Sequence, residues 1–393
     1  MGVSWHLNSR ASRVSALAMS LGIALAAVGG VVPARAATTT TDPAKAAAGW
    51  VATKVEAGGL GAGSLADAIF ALAAAHVGGT AAADALNQLK SKVDAYAGYG
   101  GTLKPGALAK TMLAVIVAGG DPTAFNGHNL ESDLRGLQIT SGTDTGRFGT
   151  AVINDQALAI LALAATSGGV PAGAGDWLAG KQCAAGDYQW DGSCPTPAGS
   201  EDPDTTAMAL QALLAAGSSA AADKATTWLV NLQASNGSFA AFGTANANST
   251  GLAAEAIRAA GHTAKADAAE AWLTGLQYGC SAAAANRGAI PYTKTDPGFG
   301  GPFSSTAQGV LAFGAPRLDK LSMAEATADA PLLACSASSG PTASAGLPTQ
   351  PPTDAAAPSG SDGSSSGGML LLAVVLAAMT GALVFDRRRW LSR

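Results

Sequence analysis

Two carboxyl groups two residues apart, within Glu201-Asp202-Pro203-Asp204-Thr205-Thr206-Ala207, are the groups in this chain best placed to do chemistry. Neighbouring carboxyls push each other's pKa values apart, so one can stay protonated and serve as an acid while the other remains ionised. Asp204-Thr205-Thr206 suits a second role. Asp or Thr ahead of an apolar stretch accepts hydrogen bonds from free N–H groups at a helix start and complements the helix dipole. Equivalent polar groups stand at Asn154-Asp155, Asn248-Ser249-Thr250 and Ser304-Ser305-Thr306, which favours capping, with ligand contact compatible with it. Paired carboxylates from Asp155, Glu201, Asp202 and Asp204 could also serve glycoside hydrolysis, although the small, aromatic-poor segments around them make a poor sugar cleft.

Other reactive groups are sparse. His76, His128 and His262 fall at expected helix ends, His6 lies in the leader, and no Cys-x₂-Cys pair exists to hold zinc. No metal site and no cofactor are expected. Four cysteines read as two disulfides of an oxidising compartment. Of three possible pairings, Cys183–Cys194 with Cys280–Cys335 joins sequential neighbours and is the one expected.

The elements that must position these residues repeat. Trp177-Leu178…Gln182, Trp228-Leu229…Gln233 and Trp272-Leu273…Gln277 share one phrase; Asp133-Leu134…Gln138 is a degenerate copy, and fainter ones begin near Trp50 and Ala85. Apolar residues at i, i+1 and i+4, as in Trp228, Leu229 and Leu232, form one stripe of an amphipathic helix. A glycine turn follows, with an apolar or aromatic residue two places on: Gly146-x-Phe148, Gly186-x-Tyr188, Gly237-x-Phe239. Then come segments that are small and apolar on every side, at 65–75, 108–118, 153–165, 205–216, 250–260 and 305–313. Such helices are buried. About six pairs, each an outer half-wet helix and an inner alanine-rich one, predict an all-α ring over 41–335, because small side chains let inner helices converge on an axis. Short hairpins are expected, if anywhere, at 188–192 and 289–292.

In such a ring the inner helices start on one rim. A polar crown of Asp155, Gln156, Thr205, Thr206, Thr250 and Thr306, with Asp67 nearby, is expected around a central mouth. The long turn 186–204, carrying Tyr188, Trp190, Asp191, Glu201 and Asp202, is expected at its edge, and a second loop, 286–303, offers Tyr292 and Phe299. Tyr188, Trp190, Asp155, Gln156, Asp204, Thr205, Thr206, Thr250 and Thr306 are the ligand-binding candidates, and Asp204 with Asp202 the alternative catalytic pair.

The spacing aromatic-Leu-x₃-Gln-x₃-Gly-x-aromatic, kept at Trp177…Tyr188 and Trp228…Phe239, resembles the QW repeats of squalene–hopene cyclases. The region 41–335 looks like the α/α toroid of the terpenoid cyclase/protein prenyltransferase superfamily. Asp204-Thr205-Thr206-Ala207-Met208-Ala209 is also similar to an inner-helix phrase of the cobalamin carriers intrinsic factor and transcobalamin. The cyclase resemblance implies a catalytic Asp-x-Asp-Asp-Thr-Ala segment. Asp202 and Asp204 match its first two acids, but Thr205 stands where the third belongs. Aromatic residues, which steady carbocations, make up only 5% of the chain, and no residues remain for the second barrel domain of such cyclases. A non-catalytic binding or interaction module is therefore expected, taking a small ligand, cobalamin-like or other, or a cell-surface protein. A degenerate cyclase is the alternative.

The ends carry addresses. Residues 1–36 combine Arg10 and Arg13, an apolar run over 14–32 and Ala34-Arg35-Ala36, the pattern of a cleaved secretory signal. Residues 336–368 are Ser, Gly, Pro, Thr and Ala apart from two Asp, Leu347 and Gln350, a stalk that could bury no core. The span 369–386 begins with seventeen uncharged residues to Phe385, about 26 Å as helix and near the lower limit for a bilayer. The basic tail 387–393 orients it with the tail in the cytoplasm and the ring outside. Between the ends, residues 37–368 carry sixteen Lys and Arg against twenty-six Asp and Glu, a net of −10, which excludes nucleic acid as a partner of choice.

Overall fold

The computed structural model describes residues 38–336 apart from Phe299, so the leader, the stalk beyond 336, the apolar span 369–386 and the tail lie outside the described residues. No helix among the described residues is long and apolar enough to cross a membrane. The regular structure is mostly helical: α1 (Pro43–Ala57), α2 (Ala62–Ala74), α3 (Gly79–Lys90), α4 (Val93–Ala97), α5 (Pro105–Val117), α6 (Leu130–Gly136), α7 (Ile153–Ala164), α8 (Ala174–Ala179), α9 (Pro203–Ala216), α10 (Ser219–Leu232), α11 (Ala247–Ala259), α12 (Thr263–Leu276) and α13 (Phe303–Gly309), which runs on as a 3₁₀ turn Val310–Ala312.

The expected inner segments are α2, α5, α7, α9, α11 and α13, each packed on the next, and α13 packs back on α2. The helices α1, α3, α6, α8, α10 and α12 precede them one by one. Small, all-apolar sequences suit the inner set: Leu65, Ala68, Leu72 of α2 and Leu210, Ala212, Leu213 of α9 are wholly shielded from water.

Three side-chain devices recur. The repeat glutamine stitches neighbouring units: Gln182 Nε2 donates to the carbonyls of Gly186 (2.9 Å) and Ala221 (2.8 Å), and Gln233 Nε2 to those of Gly237 (2.9 Å) and Lys265 (2.8 Å). Gln277 does the same to Gly288 and to Pro43, both at 2.8 Å, so the last outer helix treats the first as its successor. The turn glycine then lies directly on the next outer helix. A Cβ on Gly237 would sit 2.2 Å from the Ala268 carbonyl oxygen, and one on Gly288 2.7 Å from that of Ala46. Finally, the residue two after that glycine donates its N–H to the first turn of the following inner helix. Phe148 pairs with Gln156 Oε1 (3.0 Å), Tyr188 with Thr206 Oγ1 (3.1 Å), Phe239 with Thr250 Oγ1 (3.0 Å) and Ile290 with Thr306 Oγ1 (2.9 Å).

Strands are minor. Thr39–Thr40 pairs in parallel with Leu332–Leu333, and Ala240–Ala241 forms a hairpin with Thr244–Ala245. The hairpins expected at 188–192 and 289–292 do not form. The tight turn falls instead at Phe242-Gly243, both with positive φ (49° and 78°). The cysteines pair as Cys183–Cys194 and Cys280–Cys335, as expected, which marks an oxidising environment.

Candidate functional site

Residues four apart on a helix share a face. Asn154 and Leu158, Asp204 and Met208, Asn248 and Leu252, Ser304 and Gln308 are such pairs at the starts of α7, α9, α11 and α13. Most of them, with Asp67, Phe70 and Lys110 from α2 and α5, line an internal cavity of about 270 Å³. Leu311 and Leu318 line it too, and the 3₁₀ turn Leu318–Lys320 is pinned by the Leu318 N–H to Gln211 Oε1 at 3.0 Å. A second, larger cavity of about 620 Å³ lies at the helix starts. Asp204, Asn248, Ser304 and Gln308 line it together with Phe242, Asn246, Tyr292 and Asp296. Asp204 and Gln308 border both spaces.

Asp204 is the unusual group here. Its Oδ1 is buried without a hydrogen-bond partner, and no ion pair reaches it among the described residues. Burial raises its pKa to about 6, helped by the charge of Asp202 and opposed by a hydrogen bond from Ser249. Asp202 is otherwise engaged. It caps α9, accepting the Thr205 N–H on Oδ1 (2.9 Å) and the Thr205 hydroxyl on Oδ2 (2.7 Å). The Thr205 oxygen in turn accepts the Asn154 amide at 3.1 Å, which leaves Asn154 Oδ1 a second buried acceptor without a partner. Lys110 is neutralised within the internal cavity by Asp67 at 2.7 Å. Burial alone would lower the lysine's pKa, but Asp67 and Tyr96 outweigh it and the net shift is upward.

Further along the same faces, Gln211 Nε2 donates to Glu255 Oε2 at 3.1 Å. Glu255 is fully buried, its Oε1 has no partner, and desolvation pushes its pKa well above the ordinary carboxylate value despite that bond.

The crown expected from sequence does not form as a crown. Gln156, Thr206, Thr250 and Thr306 are buried and hold the turns of their own repeats, with Gln156 also donating to the Gly146 and Ala174 carbonyls. Thr205 is buried between Asp202 and Asn154. The capping residues lie two positions earlier than expected: Asp202 and Asn246 cap α9 and α11, while α7 and α13 begin without a side-chain cap. Tyr188 is a core side chain in the place of Phe148 and Phe239, its ring wholly shielded and its hydroxyl unpartnered. Asp155 packs its carboxyl against Gly106, and burial raises its pKa; it borders neither cavity.

Trp190 is 54% exposed and also borders neither cavity; its carbonyl accepts the Ile153 N–H at 3.1 Å, at the start of α7. The loop 186–204 is tied to itself, with Thr196 on Asp187 and Gln189 donating to Thr196 (3.0 Å) and the Ser200 carbonyl (3.2 Å). It leads into α9, whose first turn brings Asp204 to the site, and its own residues 186–203 border neither cavity. The second loop delivers Tyr292; Phe299 lies outside the described residues.

Sequence reading missed Phe242, Asp296, Lys110 and Glu255. Lys110 had a signal, since it is a lone charge inside an otherwise apolar inner segment. Among the described residues no cluster of His, Cys, Asp and Glu is arranged to hold a metal ion. In comparisons with known proteins, no family model and no curated sequence matches this chain.

Proposed function

We propose that this chain is a small-ligand binding module of the α/α-toroid kind, taking its ligand at the mouth formed by the starts of α9, α11 and α13. One observation carries the reading: a carboxylate with an unpartnered buried oxygen stands where two cavities meet. A buried charge without a partner costs stability. Structural need does not explain it, because Asp202 already caps the helix. The repeat contacts that fasten the rest of the scaffold do not involve Asp204, whose polar partner is Ser249. The toroid assignment rests on the six helix pairs, the Gln277–Pro43 stitch and the QW-like spacing. Export and a C-terminal membrane tether complete the reading, supported by the leader pattern, the apolar span and the two disulfides.

Acid catalysis is the second reading, favoured by the raised pKa of Asp204. It is the weaker one because both oxygens of Asp202 are bound to Thr205, so no partner acid is available from that side. Native mass spectrometry of the full-length chain, purified in mild detergent from its own host, separates the outcomes. A non-peptide mass that accompanies the wild type and is lost from Asp204→Asn is expected. A chain that purifies empty counts against the binding reading.

A further inference from the structure

The chemistry of the mouth is one-sided. Among the described residues its side-chain charges are the carboxylates of Asp204 and Asp296, and no Lys or Arg borders it. The nearest cavity lysine, Lys110, is already paired with Asp67. Asp204 Oδ1, which belongs to a residue bordering both cavities, and Asn154 Oδ1, whose residue lines the smaller one, are buried acceptors without a partner. The Asn154 amide cannot be turned to offer a donor instead. Its NH₂ must face Thr205 Oγ1, because the threonine's proton is held by Asp202 Oδ2. A site of unanswered acceptors calls for a ligand rich in N–H donors and positive charge.

Aromatic surface stands beside the carboxylates. Tyr292 lies within the field of Asp204 and Asp296; burial first, then both charges, raises its pKa. Phe242 is 62% exposed and sits at the first central position of the hairpin turn with φ +49°. Two successive positive φ values are the pattern of a type I′ turn, which prefers Asn or Gly there. A bulky side chain in the left-handed region costs about 1–2 kcal/mol. Local rules broken without structural return concentrate at functional sites. Here the return is an aromatic face on the cavity wall.

The geometry points to a cationic amine as the ligand class, its ammonium against the Asp204 carboxylate and its apolar body against Phe242 and Tyr292. This rests on the mouth being the ligand site. Cation–aromatic attraction adds to the ion pair in a partly desolvated space.

Calorimetric titration of the full-length chain in mild detergent at pH 7.5 tests it with three probes of one shape: 2-phenylethylammonium, 2-phenylethanol and phenylacetate. The ammonium should bind at least tenfold tighter than the alcohol, and phenylacetate should not bind. Asp204→Asn should weaken the ammonium at least tenfold and leave the alcohol unchanged. Phe242→Ala should weaken ammonium and alcohol alike. Ammonium affinity should fall as pH drops below about 6, where Asp204 protonates.

Equal binding of ammonium and alcohol, or ammonium binding untouched by Asp204→Asn, overturns the amine assignment and leaves the mouth as a ligand site. If no probe binds while a co-purifying mass is found, the amine assignment falls alone. If no probe binds and the chain purifies empty, both fall. A melting temperature of Asp204→Asn at or above wild type shows that any lost binding is not lost folding.

Discussion

Gln277 reaches back 234 residues to place its amide 2.8 Å from the Pro43 carbonyl, using the atoms with which Gln182 and Gln233 join sequential neighbours. Closure is thus made by the repeat contact itself. A six-unit arrangement whose last member meets its first in the standard way has no exposed inner-helix face to cap, unlike an open solenoid.

Replacing Gln277 with Leu should destabilise the fold by about 1–3 kcal/mol, the cost of leaving buried carbonyls without donors. Urea unfolding should show a lower midpoint at unchanged slope. A midpoint equal to wild type would mean that water replaces the glutamine and that the stitch is ornamental to closure.

Thr206→Val removes a hydroxyl and little volume. The Tyr188 N–H, paired with it at 3.1 Å in the core, would lose its acceptor. A loss of about 1–3 kcal/mol is expected. The same change at Thr227, whose exposed hydroxyl donates only to its own helix at Asp223, should be nearly neutral. Comparable losses at both sites would argue against the staple.

Gly237 and Gly243 separate conformational strain from close approach. Both have positive φ, 91° and 78°. An added Cβ at Gly243 meets nothing within 4 Å, whereas at Gly237 it meets the Ala268 carbonyl at 2.2 Å. Gly243→Ala should cost about 1–2 kcal/mol from the left-handed backbone alone. Gly237→Ala should cost clearly more, because backbone of the next unit must move. Equal melting temperatures of the two variants would remove the packing argument.

Glu255→Gln should stabilise the protein, increasingly so as pH rises. The folded-state pKa of Glu255 lies well above its unfolded value, so the native state holds a proton that the unfolded state has released. Wild-type stability therefore falls as pH climbs from the ordinary glutamate value through the raised one. Glutamine keeps an oxygen for Gln211 and carries no charge, so the slope should flatten over that window. Stability curves measured in parallel between pH 4 and pH 9 check it; parallel curves for the two proteins would mean that Glu255 is not the titrating group.

Helical pairing was legible in the order of residues because it rests on periodicity. The Trp-Leu…Gln phrase and the turn glycine mark the outer helices, and the all-apolar segments give the starts of the inner ones to within three residues. Cysteine order marked the disulfides.

Tertiary structure decided the roles of the polar residues at the inner-helix starts. Asp204 and Thr206 are two residues apart, about 200° around the helix, so one looks into the cavities and the other grips a turn. On a helix apolar all round, no hydrophobic face indicates which is which. The cap is equally ambiguous, since Asp202 and Asp204 both satisfy the composition rule and only the path of the preceding loop brings Asp202 onto the free N–H groups. The mouth itself is assembled by Asp204 from the first turn of α9, Phe242 from the α10–α11 connection and Tyr292 from the α12–α13 connection, side chains that share a cavity because α11 packs on both α9 and α13.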